Sequence, residues 1–145
     1  MNQVLLLLHI LSASAWLGAA LWVAGDVRRT LALGKPHLGP LPSRVAPALG
    51  LDLWAGLATV LTGLLVMFYV GGHPRVGIMI GFVLALLRVG VLALGMRPAW
   101  GRLAARIAAG EDVPAGDPAA RKLGMWSGIG HTLWLAALVC MVLGF

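Results

Sequence analysis

The chain has 145 residues and a formal net charge of +6, yet only 11% of its residues are charged and 60% are hydrophobic. A mean hydropathy of +0.93 excludes an ordinary soluble protein, and the length suits one domain. The single Cys140 excludes an internal disulfide and any CxxC site; no basic patch is interleaved with stacking aromatics, so no nucleic-acid partner is expected and the excess of Lys and Arg reads as loops facing anionic lipid.

The first apolar run covers residues 4–25. Ser12-Ala13-Ser14-Ala15 resembles a cleavage site, but no basic region precedes the run, so it is read as a membrane span rather than a signal peptide. Three more runs follow at 51–70, 76–96 and 123–145. Each has roughly 20 or more mostly apolar residues, enough to cross about 30 Å of hydrocarbon as a helix. The expected fold is all-α, a single antiparallel bundle of four transmembrane helices in the lipid bilayer.

The gap 26–50 is rich in helix breakers (Gly34, Pro36, Gly39, Pro40, Pro42), and the gap 71–75, Gly71-Gly72-His73-Pro74-Arg75, reads as a tight turn. In the gap 97–122, Trp100, Leu103 and Ile107 share a helical face flanked by Arg102 and Arg106. That pattern predicts a short helix lying in the membrane interface. Asp117-Pro118 predicts the N-cap and first residue of the fourth helix.

Gaps 26–50 and 97–122 share one side of an up-down bundle and hold nine Lys or Arg, against Arg75 alone on the other side. The positive-inside rule places both loops in the cytoplasm and both termini outside, as in a bacterial-type cytoplasmic membrane. Trp22, Trp54, Trp100 and Trp126 then form one interface belt, with Phe68 and Tyr69 at the other face. Gly77-x-x-x-Gly81 and Gly124-x-x-x-Gly128 offer small faces for close helix contact, within one chain or between copies in a homo-oligomer.

Polar residues inside a span are the candidates for function. Counting about 1.5 Å per residue from the basic boundary puts Arg88, His131, Thr59 and Trp16 about 13 Å deep, and His9 about 25 Å. Arg88 should face the bundle interior. Asp26 and Asp52 are expected near the basic edge, and Arg88 should lean away from them, toward its helix N-terminus. Its partner is then a carbonyl, water or an anionic group on a ligand. His131 serves either as a ligand or in an interhelical hydrogen bond, for instance to Thr59. His9 shares a small-residue face with Ser12, Ala13, Trp16 and Ala20.

His9, Met67, Met79 and Cys140 fall at similar depth and suggest a soft Cu(I) site. Helical phase opposes it. Met79 is nine residues from Arg88 and Cys140 nine from His131, about half a circle, so if the latter pair face inward the former face outward. A haem held by both His9 and His131 is disfavoured by their roughly 12 Å difference in depth.

The segment His9-Ile-Leu-Ser-Ala-Ser-Ala-Trp16-Leu-Gly18 resembles the first-helix pattern of the copper-resistance D (CopD) family and of its distant relatives, the HemJ-type protoporphyrinogen oxidases. Thr59-Val-Leu-Thr-Gly63 is similar to their Thr-Gly segment, Arg97-Pro98 resembles the basic-and-Pro ending of the third helix, and Arg88 stands where HemJ-like proteins carry a buried Lys. The resemblance implies haem b or copper handling, with His9 as the metal or haem ligand. Arg88 cannot ligate iron or act as a base at neutral pH, but an Arg can hold a propionate. Taken together with the reading of polar residues in the spans, the candidate cofactor-binding residues are His9, Arg88, Trp16 and His131.

Three functions compete on this basis: a haem-associated redox protein with His9 as axial ligand, a copper-transport or copper-tolerance protein with His9 and a Met as transient ligands, or a cofactor-free structural membrane subunit. No nucleophile with a base, paired carboxylates or phosphate loop supports a hydrolase or transferase.

Overall fold

The computed structural model describes residues 3–70 and 75–144. It is all-α, with four helical rods long and apolar enough to cross a membrane. Helix α1 (Gln3–Leu21) continues almost directly into α2 (Val23–Leu33). A single 3-10 turn at Lys35–His37 leads to α3 (Leu41–Val70), and α4 (Val76–Val91) passes through a π turn (Leu92–Met96) into α5 (Arg97–Ala108). The last rod is α6 (Pro118–Leu143). Its N-terminus is the expected one: Asp117 Oδ1 accepts from the Ala119 N–H at 2.8 Å. The expected tight turn lies largely at 71–74, outside the described residues.

Within the bundle α1 packs along α3 and α4 along α6, while α3 and α4 touch over a shorter stretch. The α4–α6 contact follows from Gly77 and Gly81. A Cβ on Gly77 would collide with the Cys140 carbonyl oxygen, and one on Gly81 would lie 2.5 Å from Met141 Cγ. Gly124 and Gly128 do not serve this purpose, for a Cβ on either would meet nothing within 4 Å.

The main correction to the expected layout concerns the two long gaps. Residues 26–50 are mostly helical: α2 extends the first rod, and α3 starts at Leu41 and runs through Pro47. Residues 97–108 form a helix, but it extends the third rod, and its face of Ala99, Trp100, Leu103 and Ile107 is buried in protein. These segments join Val27, Leu31, Leu41, Val45, Leu92, Met96 and Leu123 in one apolar core at the basic end. Hydrophobic burial drives this cap, as in a soluble domain. The spans place their leucines differently: Leu7, Leu11, Leu61 and Leu94 remain exposed, as expected where lipid is the solvent. Trp100 is therefore a core residue and not part of a belt, whereas Trp22, Trp54, Phe68 and Tyr69 are exposed.

Candidate functional site

Arg88 is buried, with 3% of its surface exposed. Its Nη2 donates to Asp52 Oδ1 at 3.2 Å and to the Trp16 carbonyl at 3.1 Å. The guanidinium carbon sits 4.2 Å from the centroid of the Trp16 ring, an arrangement that adds cation–π attraction. The expectation that Arg88 turns away from Asp52 is thus corrected. The depth count began at residue 51, but α3 begins at Leu41. Asp52 is well inside the helix and buried, and the Arg side chain is long enough to reach it. Arg88 needs no anion from a ligand.

Trp16 is the pivot of the arrangement. Its ring packs on Gly56 of α3, where a Cβ would come within 2.7 Å of it. Its indole N–H stands beside Asp52 without making a hydrogen bond of standard geometry, so Trp16 Nε1 is one of three buried nitrogens, with Arg88 Nη1 and His131 Nε2, that lack a partner among the described residues.

Trp16 also belongs to a cavity of about 270 Å³ in the spanning region. His9 and Ser14 come from α1, Thr59 from α3, Ala85 from α4, and Trp134 and Met141 from α6. His9 is set by its neighbours. Its Nδ1 lies 3.0 Å from Thr62 Oγ1, and its ring packs over Gly63. The Thr62 hydroxyl proton is directed to the Ala58 carbonyl at 2.6 Å. With its proton so directed, Thr62 Oγ1 is placed to accept from His9 Nδ1 in the tautomer that carries the proton there. In that tautomer a neutral His9 carries its lone pair on Nε2, one of the two ring nitrogens that can ligate a metal, with Thr62 as its orienting partner.

The four residues singled out from the sequence are only partly brought together. His9 and Trp16 share the cavity. Arg88 lies against the Trp16 ring but does not line the cavity. His131 does not line it either: its Nδ1 lies 3.4 Å from Ser127 Oγ, one turn back on α6. Thr59 donates to the Ala55 carbonyl at 2.7 Å and makes no bond to His131. Met79 is exposed, as helical phase requires. Sequence reasoning missed Met141 and Thr62. Nothing in the sequence separates Met141 from the other apolar residues of the fourth run, and Thr62 lies inside the Thr-Gly segment without a distinct role.

Among the described residues no three His, Cys, Asp or Glu form a metal-binding group. A haem was expected to use His9 and Arg88. His9 presents a suitable nitrogen, but Arg88 is already engaged with Asp52. The cavity is also slightly below the roughly 300–1,000 Å³ typical for drug-sized ligands, and a porphyrin is larger than most of those. The residues present do not fit a haem enclosed here. His9 and Met141 contribute one imidazole and one thioether to the cavity lining, donor types that soft metal ions take.

No family model matches the chain, and no curated protein or solved structure matches it.

Proposed function

We propose that this integral membrane protein handles Cu(I) as cargo, with His9 and Met141 as its transient ligands. The observation that carries the reading is the 3.0 Å approach of His9 Nδ1 to Thr62 Oγ1 in a cavity that Met141 also lines; with the imidazole proton on Nδ1, Nε2 is the nitrogen left for a ligand. Thioether and imidazole donors without a carboxylate favour a soft ion over Mg²⁺ or Ca²⁺. A two-donor site suits an ion that must leave again. The resemblance of the His9–Gly18 segment to the CopD family supports copper over a purely structural role.

The proposal includes an orientation. Both termini lie outside a bacterial-type cytoplasmic membrane, and the packed basic cap lies in the cytoplasm, as the nine-to-one distribution of Lys and Arg indicates. His9 is then in the outer half of the bilayer, and the Arg88–Asp52 pair closes the bundle beneath Trp16. Metal analysis and an absorption spectrum of the purified protein test the reading: copper without a Soret band supports it, and a Soret band that depends on His9 would replace it with the haem reading.

A further inference from the structure

The chain has five acidic residues, and four are engaged. Asp26 pairs with Arg44, Asp52 with Arg88, and both Glu111 and Asp117 with Arg106. Other cations at the basic end of the bundle have no such partner among the described residues. Two of them, Arg28 of α2 and Arg121 of α6, line one cleft of about 650 Å³ whose other walls are Ala24, Gly25, Ala115, Ala120 and Gly124. Among the described residues no acidic side chain lines it, and neither guanidinium has a hydrogen-bond or ion-pair partner. Arg121 also borders a second cleft of about 350 Å³ with Lys122 and Met125.

The surroundings are those of a membrane surface. Trp22 and Met125 are exposed close by in sequence, and the apolar runs of the first and fourth rods begin or end here. A cleft with cationic lining and small apolar walls combines charge for a phosphate with room for the start of an acyl chain.

We infer that the cleft between α2 and α6 binds the phosphate headgroup of an anionic phospholipid, with Arg28 and Arg121 as its ligands. Basic pockets between helices at a membrane face recognise such headgroups, and each Lys or Arg near an anionic surface strengthens the attraction about fivefold. The site is separate from the His9 cavity and does not depend on the copper reading.

Native mass spectrometry of the full chain in detergent tests the site, with phosphatidylglycerol as the probe and phosphatidylcholine as the neutral comparison. Phosphatidylglycerol should bind more tightly. Arg28→Gln with Arg121→Gln should weaken it roughly 30-fold, from about fivefold per cation. Arg121→Lys should retain most of the binding, and Arg75→Gln, at the other end of the bundle, should leave it unchanged. Both cleft arginines are exposed, so the helical circular dichroism of the variants should match wild type. Equal binding of the two lipids, or full binding by the double variant, would overturn the site. Displacement of phosphatidylglycerol by equimolar inorganic phosphate would assign the cleft to free phosphate and overturn the lipid assignment.

Discussion

Arg88 on α4 and Asp52 on α3 form an ion pair at 3.2 Å within the bundle, each almost fully buried. The same Arg nitrogen reaches the Trp16 carbonyl on α1, so one guanidinium joins three of the four rods. A charge in this setting persists only when it is paired and hydrogen-bonded.

Breaking one half of that pair should be more damaging than removing both. Arg88→Leu leaves Asp52 buried without its cation, and Asp52→Leu leaves Arg88 without its anion. Either change should lower stability by roughly 3–5 kcal/mol, the usual result of removing one partner of a buried pair. Arg88→Leu combined with Asp52→Leu should recover much of the loss. Thermal unfolding in detergent across the four proteins measures the coupling; additive losses would show that the pair is not a unit.

The α4–α6 contact gives a graded series. Gly77→Ala forces a methyl into the Cys140 carbonyl, which is backbone and cannot swing aside. It should destabilise by about 1–3 kcal/mol, the range for overpacking. Gly81→Ala meets the Met141 side chain, which can shift, and the Ala137 carbonyl oxygen only at 3.0 Å, so it should be milder and should disturb the His9 cavity. Gly124→Ala faces open space and should be neutral. The order of unfolding temperatures checks all three.

The spans were legible because length and hydropathy alone decide them. Arg88 was legible as an inward residue because charge in lipid is costly. Its partner was not, because Asp52 was assigned to a boundary that the helix overruns. Pro, Gly and charge in 26–50 and 97–122 signalled loops, yet both segments pack their apolar faces into a cap. Periodicity did locate Trp100, Leu103 and Ile107 on one face, but it does not say whether lipid or protein covers that face. Met141 became visible only when α4 and α6 were brought together.

Thr62 should matter to metal binding without touching the metal. Thr62→Val removes the oxygen that accepts from His9 Nδ1 and frees the imidazole to change tautomer. Affinity for Cu(I) should fall about 10–100-fold, the usual effect of losing an orienting partner. Thr62→Ser should restore most of it. Equal affinity in all three proteins would separate the tautomer from the function.

Topology is checked by fusing reporters active on only one side of the membrane to the C-terminus and to the loop after α5. The charge distribution predicts an outside C-terminus and a cytoplasmic loop. The reverse pattern would place the basic cap outside and His9 in the inner half.

Titration of the purified chain with Cu(I) under reducing conditions, against a chromophoric Cu(I) chelator, tests the central claim most directly. Wild type should take one Cu(I) per chain. His9→Ala should abolish this binding, and Met141→Leu should weaken it by at least about tenfold, since loss of a ligand exceeds loss of its orienting neighbour. Parallel addition of haemin should give no His9-dependent Soret band. Cu(I) binding that is unchanged in both variants, or absent from wild type, would contradict the account.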